Sequence, residues 1–284
     1  MGGNPGIISF TASCMKIISL NVEEGAYYDP LVGYIQEQSE TTDVFCFQEV
    51  LRCDTSFSDK RRTTLYDDLV HLLPDFRGEY CPVQEGIMGF TETFSDYPLA
   101  HGLAMFIKKS LTVTHGHAFI HRYRNALLDD FKGIEQLPKC IHINQPEAMQ
   151  YATISDPDGA TYTVANLHGI WHPGDKQDTP ERLSQSKKII DTLADFSENV
   201  IFCGDFNLMP DTESIRMIER AGYRNLITEF NIQDTRGPIN HERFPDSPQY
   251  FADYAFVSKN VLVQKFEVPQ LRISDHLPLE LTIS

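Results

Sequence analysis

Short apolar runs recur along the chain, and several of them end at a polar side chain. The best defined is Val200–Cys203, which Gly204 ends and which Asp205 and Asn207 follow. An apolar run of this length that a glycine closes predicts a buried strand. Because residues i and i+2 of an extended segment point to the same side, Asp205 and Asn207 are predicted to direct a carboxylate and an amide toward one place. An ordinary Asp/Asn turn explains the same two residues equally well.

Repetition of this pattern favours a functional interpretation. Five further strands are predicted, each with a polar or acid–base side chain at one end. They are Lys16–Leu20 with Asn21, Val44–Phe47 with Gln48 and Glu49, Thr161–Leu167 with His168, Tyr254–Val257 with Asp253, and Leu277–Ile283 with Asp275 and His276. Carboxylates, imidazoles and amide oxygens bind metal ions, and carboxylates and imidazoles also transfer protons, so the repetition indicates a site built from strand ends.

These motifs, in their order, resemble those of the endonuclease/exonuclease/phosphatase superfamily over residues 15–284. The matching stretches are Leu20-Asn21, Gln48-Glu49, Asn166-Leu167-His168, Gly204-Asp205-Phe206-Asn207, Asp253-Tyr254 and Ser274-Asp275-His276. Each stretch is short, and their common order makes the resemblance specific. The resemblance implies an α/β fold, a four-layer α/β/β/α sandwich of two mixed sheets packed face to face with outer helices. It also implies metal-dependent hydrolysis of a phosphoester.

The resemblance implies a Mg²⁺ site at Glu49, with Asn21 and Asp275 beside it. Mg²⁺ is usually bound by one or two carboxylates, with water and substrate phosphate completing its six ligands. Mn²⁺ accepts the same oxygen ligands and is an alternative.

The catalytic roles are likewise carried over from the family. Asp205 is expected to orient and deprotonate the attacking water, and Asn207 to donate an amide N–H to a phosphate oxygen. His276 is expected to contact the phosphate as an imidazolium, with Asp253 orienting the ring and raising its pKa. His168 is expected to be a second phosphate donor or the acid for the leaving group.

Two further residues are candidates for substrate binding. Trp171 follows His168 closely and can stack on a base or line the pocket, although simple packing is an equal alternative. Arg124 lies in residues 121–147, the stretch with the least pattern, and can reach a phosphate or lie on the surface. The stretch before Asp253 lacks the Cys-Asp-Arg motif of inositol 5-phosphatases, which weighs against an inositol substrate.

The charge of the chain changes the expected substrate. The net charge is −16, from 24 basic and 40 acidic residues. Proteins that grip long nucleic acid show a basic face, because phosphate contacts dominate their affinity. The longest basic run here is Lys60-Arg61-Arg62, whose simplest interpretation is a solvated helix start. The alternative is a local basic strip in which the fold gathers this run with Arg122 and Arg124. The charge therefore favours a small substrate or a short nucleic-acid end over a long duplex.

Three functions follow from these observations. The first is a phosphodiesterase or nuclease-type activity on nucleic acid or a nucleic-acid end. The second is a phosphatase or phosphodiesterase that acts on a small-molecule or lipid head-group phosphoester. The third is a catalytically silent binding module on the same fold, which the retained cluster of carboxylates argues against because burying such groups is costly.

The chain is expected to form one domain, residues 15–284, after an extension of residues 1–14. No run of about 18 apolar residues exists, so no transmembrane segment is predicted. Six scattered cysteines without a Cys-x-x-Cys pair suit a reducing cytoplasm, and the protein is expected there. Thr179-Pro180 predicts a helix start, 150–154 and 162–167 predict a hairpin, and Gly237–Gln249 is predicted to be a loop.

Overall fold

Two β-sheets packed face to face form the centre of the molecule. The computed structural model describes residues 14–56, 58, 60–85, 99–121, 147–156, 159–172, 175–196 and 199–284. The strands are β1 (Met15–Asn21), β2 (Val44–Arg52), β3 (Phe76–Glu85), β4 (Ala100–Lys108), β5 (Thr112–His121), β6 (Glu147–Ser155), β7 (Thr161–His168), β8 (Val200–Asp205), β9 (Tyr223–Asn225), β10 (Asp253–Ser258), β11 (Val263–Glu267) and β12 (Leu279–Ile283). The helices are α1 (Tyr28–Ser39), α2 (Leu65–Leu72), α3 (Pro180–Leu193), α4 (Glu213–Arg220), α5 (Leu226–Glu229) and α6 (Gly237–Arg243), with a 3-10 turn at Glu23–Gly25.

Both sheets are mixed, as predicted. In the described part of the chain, the first has the order β11-β12-β1-β2-β4-β3 and the second β5-β6-β7-β8-β10-β9. β1 and β2 are parallel, as are β7 and β8, while the other neighbours are antiparallel. β1 also pairs with β12, so that Met15 lies opposite Ile283.

Alternation of side chains along the central strands creates the layers. In β2, Val44 and Cys46 face the second sheet, where they share a core with residues such as Phe202. Phe45 and Phe47 point the other way and pack under α1 and α2. Both faces of the strand are therefore buried, which explains its almost unbroken apolar sequence. With α3 and α4 covering the second sheet through residues such as Ile189 and Ile215, the four-layer prediction is confirmed.

A buried polar bridge ties the two sheets together just behind one edge. Gln48 Nε2 on β2 donates to Asn166 Oδ1 on β7 over 2.6 Å. Asn166 Nδ2 in turn donates to the carbonyls of Phe47 and Ala104 on the first sheet. Both amides are fully buried, so these bonds fix the position of one sheet against the other.

The structure confirms the predicted hairpin and the helix start at Thr179, whose side chain caps α3 by accepting from the N–H of Arg182. The predicted loop at Gly237–Gln249 is wrong, because α6 occupies its first half. The side chain of Asp234 accepts hydrogen bonds from the N–H groups of Arg236 and Gly237 at the start of that helix. The proline in the first turn is compatible with the helix, because an N–H at that position would have no partner within the helix. Among the described residues, no helix is long and apolar enough to cross a bilayer.

Candidate active site

The polar strand ends meet at one edge of the sandwich, around a cavity of about 460 Å³. Of the residues predicted for the site, seven line this cavity: Glu49, His168, Trp171, Asp205, Asn207, Asp275 and His276. Asn21 and Asp253 lie buried directly behind them. Arg124 lies outside the described residues.

Strand register places three of these side chains in a row. Asp205 at the end of β8 lies opposite His168 on β7 and opposite Asp253 on β10. β8 approaches β7 closely because residue 204 is a glycine at φ +145, where a Cβ atom would lie 2.0 Å from the Leu167 carbonyl oxygen. Only glycine adopts this backbone without strain, so the local sequence sets the spacing of the row.

A bulge directs Glu49 into the site. The register of β2 against β4 shifts between Phe47 and Val50, and Glu49 has a left-handed φ of +57. The prediction that the strand ends at Glu49 is therefore wrong, since β2 continues to Arg52. The extra residue turns the Glu49 side chain toward the cavity, in a backbone conformation that costs an ordinary residue about 1–3 kcal/mol.

Glu49, Asp205 and His168 form a group suited to a divalent cation. One ligand atom from each lies within 4.8 Å of the others. Asn21 Nδ2 donates to both carboxylates, over 2.9 Å to Glu49 and 3.1 Å to Asp205, while its oxygen accepts from the N–H of Glu23. Burial raises the pKa of Glu49 to about 7 in the absence of a cation. Two buried carboxylates this close fit a hard ion such as Mg²⁺ or Mn²⁺, whose charge would offset their repulsion.

Asp275, the third predicted metal ligand, is held by arginines. Its Oδ2 lies 2.8 Å from Arg236 Nη2 and 3.4 Å from Arg243 Nη1. Burial opposes its ionisation, but Arg236 and the nearby His276 and Arg243 lower the pKa of Asp275 to about 2. It therefore remains a carboxylate at neutral pH.

His276 is oriented by a buried carboxylate. Its Nδ1 lies 2.8 Å from Asp253 Oδ2, and its Nε2 lies 3.6 Å from Asp205 Oδ2 and also contacts Arg236. Burial and Arg236 disfavour the imidazolium, but the three carboxylates of Asp253, Asp205 and Asp275 raise the pKa of His276 above its ordinary value. Asp205 is itself ionised, because His276 and Lys176 outweigh burial and hold its pKa well below the usual range.

Asn207 reaches the site by a different geometry from the one predicted. Its φ is +54, so it is not extended, and its N–H donates to Asp205 Oδ1 over 2.8 Å. The alternative of an Asp/Asn turn is therefore correct. The side chain nevertheless lines the cavity, with Nδ2 donating to the Gly169 carbonyl and Oδ1 accepting from Lys176 Nζ over 2.7 Å.

His168 faces the other side of the same group. Its Nε2 lies 3.6 Å from Glu49 Oε1, and its Nδ1 lies 3.4 Å from Glu147 Oε2. Burial lowers the pKa of His168, which favours the neutral ring. Glu147 was not recognised from the sequence, because it stands at the end of the stretch with the least pattern.

Among the described residues, the cations that line the cavity are Arg61, Lys176, Arg236 and Arg243. Sequence reasoning missed the last three and named Arg61 only within the alternative of a local basic strip. The interpretation of Arg61 as part of a solvated helix start is wrong: it lies 3.4 Å from Glu23 and 3.0 Å from Glu24, and α2 begins only at Leu65. Burial lowers the pKa of Lys176 to about 8, so its ammonium is charged at neutral pH. The signal that was available is the helix start at Asp234-Thr-Arg-Gly-Pro, since Arg236 is the N-cap of α6 and Arg243 is its last residue.

Comparison with known proteins gives a consistent picture. A family model described as Endonuclease/Exonuclease/phosphatase family matches residues 18–276. A Bacteroides vulgatus protein of that description superposes with a TM-score of 0.68 at 16% identity, covering 96% of this chain and 99% of its own. A mannosyl-6-phosphatase from Bacteroides thetaiotaomicron VPI-5482 superposes with a TM-score of 0.64 at 16% identity, covering 95% and 99%. D. rerio TDP2 with a single-strand DNA product gives 0.59 at 16% identity, covering 96% and 99%.

At these identities the solved structures show that the fold is shared. A search of curated proteins gave no match.

Proposed function

This chain belongs to the endonuclease/exonuclease/phosphatase family, a family of phosphoester hydrolases, and we propose that its substrate is a small phosphoester bound in the cavity at the sheet edge. The observation that supports this most directly is the row formed by His168, Asp205 and Asp253, with His276 closing it. The row supplies an ionised carboxylate beside an oriented imidazole at the floor of one cavity.

Each side chain has a role that its surroundings support. Asp205 is ionised, and the N–H of Asn207 holds its Oδ1, so the carboxylate can accept a proton from a water molecule in the cavity that it lines. His276, oriented by Asp253, can donate from Nε2 to a phosphoryl oxygen. Arg236 contacts this nitrogen and has to move away before the donation can occur. An incoming anion favours that movement, because the guanidinium can then bind the anion.

A divalent ion would neutralise charge on the phosphoryl oxygens when bound. Glu49, Asp205 and His168 would hold it, and Asn21 orients both carboxylates through its amide. We propose Mg²⁺ or Mn²⁺ because the group is dominated by carboxylate oxygens. Asp275 remains a candidate ligand, and it would have to exchange its arginine partners to serve.

Size and charge of the cavity support a small anionic substrate. Its volume of about 460 Å³ falls within the range of about 300–1,000 Å³ that small-molecule sites occupy. Among the described residues, four cationic and five carboxylate side chains line it, a more even ratio than the 24 basic and 40 acidic residues of the whole chain. The cations concentrate positive charge where a phosphate would bind, while the rest of the surface repels a long duplex.

A second candidate is the end of a short single strand. Phe244 is 48% exposed and lines the same cavity as Trp171. Aromatic side chains in a cavity provide surfaces on which bases stack. The mannosyl-6-phosphatase and the TDP2 complex with single-strand DNA product, both similar in fold, illustrate the two substrate classes between which an assay must choose.

The test is a panel of phosphoesters with the purified protein and Mg²⁺ or Mn²⁺. The panel contains sugar phosphates, mononucleotides, short single-stranded DNA and RNA, 5′-tyrosyl DNA, and a long duplex. We expect turnover of at least one small ester or strand end, complete loss in chelator, and a fall of roughly 100-fold or more for Asp205→Asn. Full activity in chelator, or a preference for the long duplex with a steep dependence on salt, would contradict the proposal.

A further inference from the structure

Lys176 differs from the other cations that line the cavity. Among the described residues, three arginines there each have a carboxylate oxygen within 3.0 Å: Arg61 with Glu24, Arg236 with Asp275, and Arg243 with Glu23. Lys176 has no carboxylate within 4.0 Å in the same part of the chain. Its Nζ donates instead to a neutral group, Asn207 Oδ1, over 2.7 Å.

The position of Lys176 is fixed by buried contacts. Its carbonyl oxygen accepts from the N–H of Met209, which joins its loop to the segment after β8. Arg182, a fully buried side chain of α3, donates to the carbonyls of Asp175 and Gln177 on either side of it, over 3.1 and 2.6 Å. Lys176 is itself only 5% exposed. It is therefore held at the cavity wall, unlike a surface lysine that samples many rotamers.

Burying an ammonium beside a neutral amide is costly unless its remaining donors find an acceptor. An ammonium has three N–H groups, and the contact with Asn207 uses one. Among the described residues the other two have no acceptor, and they are available to the cavity that Lys176 lines. An anion that enters the cavity would accept hydrogen bonds from these N–H groups. It would also offset the charge of Lys176, as a carboxylate does for each of the three arginines.

We propose that Lys176 is a catalytic residue that binds an anionic oxygen of the substrate's phosphoryl group, together with the amide of Asn207. This rests on the proposed function in so far as the substrate is a phosphoester. The chemistry recognised is a tetrahedral oxyanion, so inorganic phosphate, one product of a monoester, is also a ligand. Lys176 would then hold the phosphoryl group in the cavity that Asp205, Arg236 and Arg243 also line.

The experiment measures binding of inorganic phosphate by calorimetry, with Mg²⁺ and in chelator, and steady-state hydrolysis of the best ester of the panel. Lys176→Met removes the charge with little change of volume. Lys187→Met is the matched control, since Lys187 is an exposed lysine on α3, which follows the loop of Lys176, and it pairs with Asp191. We expect phosphate binding to weaken about tenfold to a hundredfold in Lys176→Met, the effect of losing a charge-assisted hydrogen bond, and to stay unchanged in Lys187→Met.

A measurement on the wild-type chain guards against misfolding of the variant. Acetic anhydride modifies lysines, and mass spectrometry reports the rate at each one. Phosphate should slow modification of Lys176 and leave that of Lys187 unchanged. Equal rates at Lys176 with and without phosphate, or wild-type phosphate affinity in a folded Lys176→Met protein, would overturn the proposal.

The two proposals fail in different ways. If the wild type hydrolyses nothing in the panel but loses phosphate affinity on Lys176→Met, the anion subsite stands and the proposed function is wrong. If the wild type hydrolyses an ester and Lys176→Met retains both turnover and phosphate affinity, the function stands and the subsite is wrong.

Discussion

Replacing Gly204 by alanine tests whether the close approach of β7 and β8 positions the catalytic row. The new Cβ would lie 2.0 Å from the Leu167 carbonyl oxygen and 2.8 Å from its carbon, and both atoms belong to backbone inside a sheet. A flexible side chain cannot relieve this contact. The strands must separate, and Asp205, the next residue, must move away from His168, its register partner.

The cost has two parts. A left-handed φ of +145 in alanine adds about 1–3 kcal/mol, and forced separation of packed backbone adds about 1–3 kcal/mol more. The expected loss is therefore about 2–6 kcal/mol, or roughly 3–10 °C in Tm for a chain of this size. Gly33→Ala is the matched control, because Gly33 lies inside α1 with nothing within 4 Å of a built Cβ. That change should stabilise by about 0.5–1 kcal/mol.

Differential scanning calorimetry measures both variants, and kcat/KM is measured at 15 °C where both remain folded. We expect opposite signs in Tm, and a fall in kcat/KM of at least about tenfold for Gly204→Ala alone, since a shift near 1 Å is enough to damage catalysis. A Gly204→Ala protein with wild-type Tm and wild-type kcat/KM would refute the reasoning.

Three further predictions follow from the site. Glu49→Gln should abolish Mg²⁺ binding measured by calorimetry, because it removes an anionic ligand; unchanged affinity would exclude Glu49 as a ligand. His276→Ala should lower kcat/KM more than Asp253→Asn, because Asp253 acts by orienting the ring; the reverse order would contradict these roles. Burial lowers the pKa of His101 from 6.5 to about 3, so the unfolded chain alone binds its proton in that window. The free energy of unfolding should therefore fall as the pH drops from about 6.5 toward 3, and it should fall about 1 kcal/mol per pH unit more steeply in the wild type than in His101→Gln. Urea unfolding at several pH values measures this slope, and equal slopes for the two proteins would contradict the prediction.

The strand ends could be predicted because apolar runs and the polar residue that closes each run are local features. Asp205 and His168 lie far apart in sequence, but each follows its own buried strand, and strands of one sheet end at one edge. The geometry within a run was harder to predict. Asn207 turns instead of continuing the strand, and Glu49 sits in a bulge, because their conformations depend on neighbouring strands that periodicity does not describe.

The cationic wall could not be predicted from single residues. Arg61 and Lys176 lie in loops, where no periodic pattern indicates which way a side chain points. Arg61 is held by Glu24, and the loop of Lys176 is held by hydrogen bonds from the buried Arg182 to its carbonyls, and both contacts depend on packing between elements. Arg236 and Arg243 are a different case. They are seven residues apart, so a helix places them on one face. The Gly237-Pro pair led to the prediction of a loop, so the helical spacing of the two arginines was not considered.

Pairing of β1 with β12 has a consequence for how the enzyme is made. Met15 pairs with Ile283, so β1 cannot form this pair until the ribosome has translated nearly all of the chain between them. At about 5–20 residues per second that takes roughly 15–50 s, during which β1 offers an unpaired edge to other nascent chains. Asn21 lies on β1 and Asp275 just before β12, so the catalytic edge is completed only after translation has passed both. Slower expression or a larger supply of chaperones should therefore raise the yield of active protein.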